Sequence, residues 1–293
     1  MATREELVYI DGEFCRKEEA KISVFDHGLL YGDGIFEGIR AYDGYVFKLD
    51  EHIDRLFHAA CAISLEIPCT REEIKEIVLT CCRKNGIYDG YVRLVVTRGV
   101  GDLGLSPKKC PKASVICIAA TITLYPPEFY KNGLKVITAV QRRNRATIID
   151  PQIKSLNYLN NILARIEADT RGAPEALMLT EEGMVAECTG DNIFLIKDGC
   201  ILTPPIHMGI LDGITRRTVI ELAEKRGYPV KETPFTLYNV YSADEVFLSG
   251  TAAELIAVTE IDGRVIGDGT AGPITMELLD AFQDYKKGEG AKI

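Results

Sequence analysis

Long apolar runs are what this 293-residue chain most plainly lacks. The longest, Ala113–Ile122, falls far short of the roughly 20 residues that a membrane-spanning helix needs. The opening M-A-T-R-E-E-L carries no apolar signal core, so the sequence predicts a cytoplasmic protein with no membrane partner. Paired cysteines are missing too. Nine cysteines, at 15, 61, 69, 81, 82, 110, 117, 188 and 200, form no C-x-x-C, and this odd, scattered set predicts reduced thiols. Cys61 and Cys117 lie in apolar runs and read as small core residues. Histidine is scarce: His27, His52, His58 and His207 are widely separated and no H-E-x-x-H occurs. Neither a metal site nor a Ser-His-Asp centre is expected. Positive charge is also in deficit. Thirty-four basic residues face 43 acidic ones, and the net charge of −9 repels a phosphate backbone, which speaks against a nucleic-acid partner.

What is present has the balance of an ordered globular protein, with 46% hydrophobic and 26% charged residues and room for one large domain or two. Short β-like runs open the chain, broken by Asp11-Gly12 and Asp43-Gly44, which are strong hairpin signals. A helix follows, with Asp50 as its expected cap and Ile53, Leu56, Phe57, Ala60 and Ile63 on its apolar face. Thr70 and Glu73 form a capping box for a second helix carrying Ile74, Ile77, Val78 and Cys81. Two β-branched runs, Tyr91–Thr97 and Ala113–Leu124, complete a unit whose helices and strands are segregated, which predicts an α+β fold. Residues 125–133, Y-P-P-E-F-Y-K-N-G, read as a linker, because adjacent prolines argue against both helix and central strand. The expected division is a small domain, 1–124, and a large one, 134–293. In the large domain, strands at Leu134–Val140, within Ala176–Ile201 (with a turn at Asp198-Gly199), at Val246–Leu248 and at Leu255–Ile261 are expected. They are interspersed with helices at Asn157–Thr170, Thr215–Gly227 and Ile274–Tyr285.

Two stretches match G-x-G-x-x-G, but Gly99–Gly104 follows a strand and runs into L-S-P-K-K-C-P, which cannot open a helix, and Gly267–Gly272 precedes a helix without room for a βαβ unit, so turn glycines account for both. Other polar residues stand where structure alone does not ask for them. L-D-G-I-T-R at Leu211–Arg216 places a glycine and a threonine at a helix start. Open amides, a hydroxyl and the helix dipole there suit a phosphate, with an ordinary glycine turn as the competing reading. S-G-T-A-A-E at Ser249–Glu254 leaves a strand end open to a ligand, or simply makes a tight loop. Lys154 precedes an amphipathic helix, Glu187 interrupts a β region and Arg55 sits among apolar neighbours; singly, each reads as a solvated or snorkelling side chain. A lysine, an acid, an arginine and a phosphate-suited helix start are together what a pyridoxal-phosphate site requires.

With these residues the sequence resembles the class IV aminotransferases of pyridoxal-phosphate fold type IV, and within them the branched-chain amino acid aminotransferases. The resemblance runs from about Val8 to about Tyr285. Y-G-D-G-I-F-E-G-I-R (Tyr31–Arg40), K-S-L-N-Y-L (Lys154–Leu159), Glu187–Phe194, Gly213–Arg216 and Ser249–Glu254 carry it, in the family's order. It implies a two-domain protein of the D-amino acid aminotransferase-like fold, with pyridoxal 5'-phosphate in the cleft between domains, assembled as a homodimer or higher homo-oligomer. Lys154 would bind the cofactor as an aldimine and then, as a neutral amine, move the substrate α-proton. Glu187 would bond the pyridine nitrogen and Tyr158 the phenolic oxygen. Arg55, the amides of Ile214 and Thr215, the Thr215 hydroxyl and Thr251 would hold the phosphate.

For the substrate, the resemblance implies that the Thr251-Ala252-Ala253 turn and Tyr91 receive the α-carboxylate. Phe36, Tyr158 and the partner subunit's Tyr31 would line the side-chain pocket. Arg40, which ends the F-E-G-I-R run, joins the substrate residues and favours the branched-chain group. Arg93 would meet the second carboxylate of glutamate or 2-oxoglutarate. D-Amino acid aminotransferases of this fold carry Arg-x-His where this chain has Leu103-Gly104-Leu105, which offers a carboxylate no side-chain donor. The chain has no tryptophan, which some members use in the pocket wall, and Phe129 or Tyr130 is the expected substitute. The activity implied is reversible amino transfer between L-leucine, L-isoleucine or L-valine and 2-oxoglutarate, a step of amino-acid biosynthesis. The rivals are a D-amino acid aminotransferase or aminodeoxychorismate lyase on the same fold, and a non-catalytic ligand-binding homologue.

Overall fold

Asp-Gly pairs set the first hairpins. The structure, a computed structural model describing residues 6–122 and 125–293, gives Asp11 and Gly12 positive φ between β1 (Leu7–Ile10) and β2 (Glu13–Arg16). After a short helix, α1 (His27–Tyr31), Asp43 and Gly44 do the same between β3 (Gly34–Tyr42) and β4 (Tyr45–Val46). Left-handed backbone at both turn residues matches the twist of the strands it joins. Two helices follow, α2 (Leu49–Ala62) and α3 (Arg71–Asn85). The α3 capping box is present: Glu73 N donates to Thr70 Oγ1 at 3.2 Å, and Thr70 N donates to Glu73 Oε2 at 2.7 Å. Asp50 is not the cap of α2. The buried Leu49 is drawn into the helix, Lys48 takes the cap position, and Asp50 falls in the first turn, where its charge still suits the helix dipole.

Next come β5 (Gly90–Thr97) and β6 (Ser114–Ala120). The run expected to reach Leu124 leaves strand geometry after Ala120, and Leu124 itself lies outside the described residues. A seven-stranded antiparallel sheet forms in the order Ala291–Lys292, β4, β3, β5, β6, β1, β2. Its core joins Ile35, Ile39, Val92 and Leu94 to Leu56 of α2 and Ile74 of α3. Cys117 is buried in that core, as expected, whereas Cys61 is exposed. It sits off the Ile53–Leu56–Ala60 stripe, so the apolar run around it misleads.

The described chain up to Ile122 forms one compact unit, to which Ile153–Asn157 and Lys286–Ile293 return; the second unit holds residues 125–152 and Tyr158–Tyr285. A split at the prolines keeps both returning segments in the second half. Their attachment rests on long-range backbone bonds that no local pattern encodes. Phe36 N donates to Lys154 O and Leu156 N to Gly34 O, each at 2.9 Å, and Ala291 pairs with Val46. The prolines themselves do not exclude helix. A short helix, α4 (Pro127–Asn132), begins on Pro127, where the missing N–H has no intrahelical partner to lose.

The second unit continues with β7 (Leu134–Thr138), α5 (Ala146–Ile149), α6 (Leu159–Thr170), β8 (Glu175–Leu179), β9 (Val185–Cys188), β10 (Asn192–Lys197) and β11 (Cys200–Thr203). Then come α7 (Ile214–Lys225), β12 (Val230–Glu232), α8 (Leu237–Tyr241), β13 (Glu245–Gly250), β14 (Glu254–Ile261), β15 (Arg264–Val265) and α9 (Pro273–Tyr285), after which β16 (Ala291–Lys292) belongs to the first unit's sheet. The second unit's sheet is mixed, in the order β12-β11-β10-β13-β14-β7-β8-β9, with β15 paired to β14. One face carries a core of Leu134, Leu177, Ile193, Leu195, Leu248 and Ile256. The other face stacks Phe194 on Phe247, with ring centroids 4.8 Å apart. No helix among the described residues is long and apolar enough to cross a membrane.

Candidate active site

Strand alternation sorts the residues of β3 and β5 onto two chemically different faces. Pairing Phe36 with Val95, Gly38 with Arg93 and Arg40 with Tyr91 puts all six on one face. Gly38 is small for a reason: the Tyr91 hydroxyl lies across it, in the space a Cβ would need. The Arg93 guanidinium is thereby held between two rings, 4.5 Å from the Phe36 centroid and 5.5 Å from that of Tyr91. Lys154 joins this group. Its carbonyl is bonded to β3, and its Nζ stands 4.6 Å from the Phe36 centroid. Arg40 lies over the Tyr42 ring at 4.8 Å, with a buried Nε that has no hydrogen-bond partner among the described residues. Tyr31 is turned elsewhere in its own chain, toward the edge of His27 and with its hydroxyl donating to Leu103 O at 2.6 Å.

The opposite face of β3 carries Ile35, Glu37 and Ile39 into the core, so Glu37 is a carboxylate on an otherwise apolar surface. Arg55 of α2 grips it with two bonds, Nε to Oε1 at 2.8 Å and Nη2 to Oε2 at 2.7 Å. His52 Nδ1 meets the same Oε2 at 2.8 Å. Burial alone would raise the Glu37 carboxyl, but the adjacent Arg55 guanidinium, with help from His52, holds it far below the usual carboxylate range. Burial holds the His52 imidazole below its ordinary value, against the pull of Glu37. Arg55 is therefore an ion-paired, buried side chain and not a snorkelling one.

In the second unit Glu187 is likewise buried, not an exposed strand-end acid. Its Oε1 accepts from Arg143 Nε at 2.8 Å, and its Oε2 accepts from Leu211 N at 3.0 Å and Asn192 Nδ2 at 3.2 Å. Arg143 is itself held by Asn160 and Asn161 through Nη1, at 3.3 and 3.2 Å. A carboxylate accepts about four hydrogen bonds, so Glu187 has room for one further N–H donor. Beyond Leu211, Gly213 is the N-cap of α7 and has no side chain with which to cap it, and the helix begins with Ile214 and Thr215. Gly213 packs against the Asn192 amide, where a Cβ would collide. Asn192 pairs across the sheet with Ser249, whose buried hydroxyl has no hydrogen-bond partner among the described residues. The β13–β14 turn follows, with Thr251 and Ala252 half-buried, Ala253 buried and the Tyr130 hydroxyl donating to Ala253 O at 3.1 Å. Tyr158, half-buried, occupies the cap position of α6.

This donor set suits an anionic heteroaromatic ligand. A helix start with glycine at its cap and a hydroxyl without a hydrogen-bond partner among the described residues favour a phosphate, and a buried acid with one acceptor position left favours a ring N–H. The family model described as amino-transferase class IV matches residues 34–261. The chain belongs to the class IV aminotransferases. A Methanocaldococcus jannaschii relative, named provisionally as a branched-chain-amino-acid aminotransferase, is 51% identical over 286 residues, 98% of each chain. The D-alanine aminotransferase of Listeria monocytogenes is 38% identical over 278 residues, 94% of each chain. Among solved structures, a branched-chain amino acid aminotransferase of Escherichia coli superposes with a TM-score of 0.94 at 34% identity, covering 98% of this chain and 96% of that one.

As a class IV aminotransferase, the chain also has residues that brace the candidate site and that no motif singles out. Glu37 lies inside the F-E-G-I-R run, and alternation with Ile35 and Ile39 would have flagged a buried acid there. Arg143 reaches Glu187, and Asn161 reaches Arg143, only through the fold, and no local spacing announces either. Ser249 stands in the S-G-T-A-A-E motif, but its lack of a partner is visible only in the structure.

Proposed function

We propose that this class IV aminotransferase is a pyridoxal 5'-phosphate-dependent branched-chain amino acid transaminase, cytoplasmic and homodimeric, that exchanges the amino group of L-leucine, L-isoleucine or L-valine with 2-oxoglutarate. The observation that carries the substrate assignment is the Arg93 guanidinium seated between the Phe36 and Tyr91 rings over Gly38, beside Lys154. Aromatic walls accept a branched apolar chain. The same walls leave one fixed cation for the distal carboxylate of glutamate. Leu103 and Leu105 are exposed and offer no such cation, which favours this reading over the D-amino acid one.

Bound pyridoxal phosphate supplies a carbonyl carbon that exchanges amines and a ring that withdraws electrons from the substrate Cα–H bond. Arg55, the Ile214 and Thr215 amides, the Thr215 hydroxyl and Thr251 would hold its phosphate. Glu187 would keep a proton on the ring nitrogen, and Tyr158 would donate to the ring oxygen. Lys154 takes the α-proton and returns it on the other side of the exchange. Tyr91, Arg40 and the Thr251-Ala252-Ala253 turn orient the α-carboxylate so that the Cα–H bond faces that amine. Phe36, Tyr130 and the partner subunit's Tyr31 exclude water from the side-chain pocket.

The test is a visible spectrum of the cofactor-loaded protein titrated with L-leucine. The yellow band should fade, 2-oxoglutarate should restore it, and Lys154→Ala should abolish the change. Fading with D-alanine but not with L-leucine would transfer the protein to the D-amino acid group. A protein that takes up no cofactor would leave only a non-catalytic role.

A further inference from the structure

Glu37 presents a physical problem that the reaction as described leaves open. It is fully buried on the core-facing side of β3, between Ile35 and Ile39, in a position where an apolar side chain would pack without desolvating any charge. Buried ion pairs recover their desolvation cost only with good geometry, and apolar replacements are often as stable or more so. Stability alone therefore does not account for an acid here. What the pair does accomplish is orientation. A guanidinium on a four-bond tether has many rotamers, and the two-point grip through Nε and Nη2 leaves it one. His52, also buried, occupies one oxygen of the same carboxylate and holds the grip from the side.

We propose that Glu37, supported by His52, is the positioning residue that fixes Arg55 for the cofactor phosphate, so that phosphate affinity depends on an acid that never touches the phosphate. This rests on the pyridoxal-phosphate reading above. Without the clamp, Arg55 would pay its rotamer entropy each time it met the phosphate. The effect must be confined to the phosphate. Pyridoxal, which has the same ring and aldehyde but no phosphate, should be indifferent to Glu37.

The experiment measures dissociation constants of cofactor-free protein for pyridoxal 5'-phosphate and for pyridoxal, by absorbance titration, in wild type, Glu37→Gln, Arg55→Lys and the double variant. Inorganic phosphate is tested in parallel as a stabiliser in thermal melts. Glu37→Gln should weaken pyridoxal phosphate by about tenfold, the scale of one charge-assisted hydrogen bond, while pyridoxal changes by less than about twofold. The double variant should be no weaker than Arg55→Lys, and inorganic phosphate should stabilise Glu37→Gln less than wild type. If Glu37→Gln does not fold, Glu37→Asp retains the charge but withdraws it by one methylene, and it should show the same selective loss. Equal losses for both ligands, or no loss for the phosphate ester, overturn the proposal while leaving the cofactor reading intact. A wild-type protein that binds neither ligand overturns that reading instead.

Discussion

In the proposed reaction, Arg93 is the side chain that would set the substrate range. Its charge lies against two ring faces and makes no ion pair with an acid among the described residues, which suits it to an incoming carboxylate. Arg93→Ala should lower the glutamate half-reaction roughly 10- to 100-fold, the worth of a charge-assisted pair. The leucine half-reaction should fall much less, since leucine has no second carboxylate. Single-turnover rates for each amino acid check this, and equal losses would remove Arg93 from the specificity role. At this scale the sequence points to candidate residues where they cluster in motifs: Lys154, Glu187, Thr215 and Thr251 all stand in short recognisable strings. It was opaque where a site residue acts through a distant partner. Arg143 is 44 positions from Glu187 and Glu37 is 18 from Arg55, and neither pairing follows from spacing along a strand or helix.

Elements were read best where the signal is local. Every Asp-Gly turn expected, at 11–12, 43–44 and 198–199, has both residues at positive φ. The Thr70–Glu73 box closes as two reciprocal bonds. Because both cap atoms are exposed, removing the hydroxyl leaves no buried group unsatisfied, and Thr70→Ala should cost only about 1 kcal/mol. Denaturant melts should show that loss with no change in slope, and a changed slope would mean that α3 does more than cap its own end. Reading failed where a tertiary demand overrides a propensity. Leu49 is pulled into α2 ahead of Asp50 because its side chain belongs to the core, and Pro127 opens a helix because its restraint falls at the one turn that tolerates it. Neither demand is visible in a window of a few residues.

On the scale of the chain, the first unit is not complete until the last residues have been made. Lys286–Ile293 pairs Ala291 with Val46 and Lys292 with Tyr45, and Ile293 N donates to Gly44 O at 2.9 Å. Lys286 Nζ stands 4.2 Å from the Tyr42 ring centroid, on a ring that also carries the Arg40 guanidinium at 4.8 Å. Lys48, the cap residue of α2, reaches Glu289 at 3.3 Å. A composition with net charge −9 thus concentrates Arg40, Arg93 and Lys154 on one face of the first sheet, and the chain's own end helps to hold that face in place. Deleting Lys286–Ile293 should therefore uncover β4 and loosen Tyr42, at a cost of about 2 kcal/mol from lost backbone pairing and apolar cover. Hydrogen exchange should localise the damage, with amides of β3 and β4 losing protection while those of β10 and β13 keep theirs. The KM for L-leucine should rise through Arg40 more than kcat falls, since Lys154 is pinned to the far end of β3 by its own backbone bond. Uniform loss of protection across both sheets, or kcat falling with KM unchanged, would show that the C-terminal segment acts on something other than the strand it pairs with.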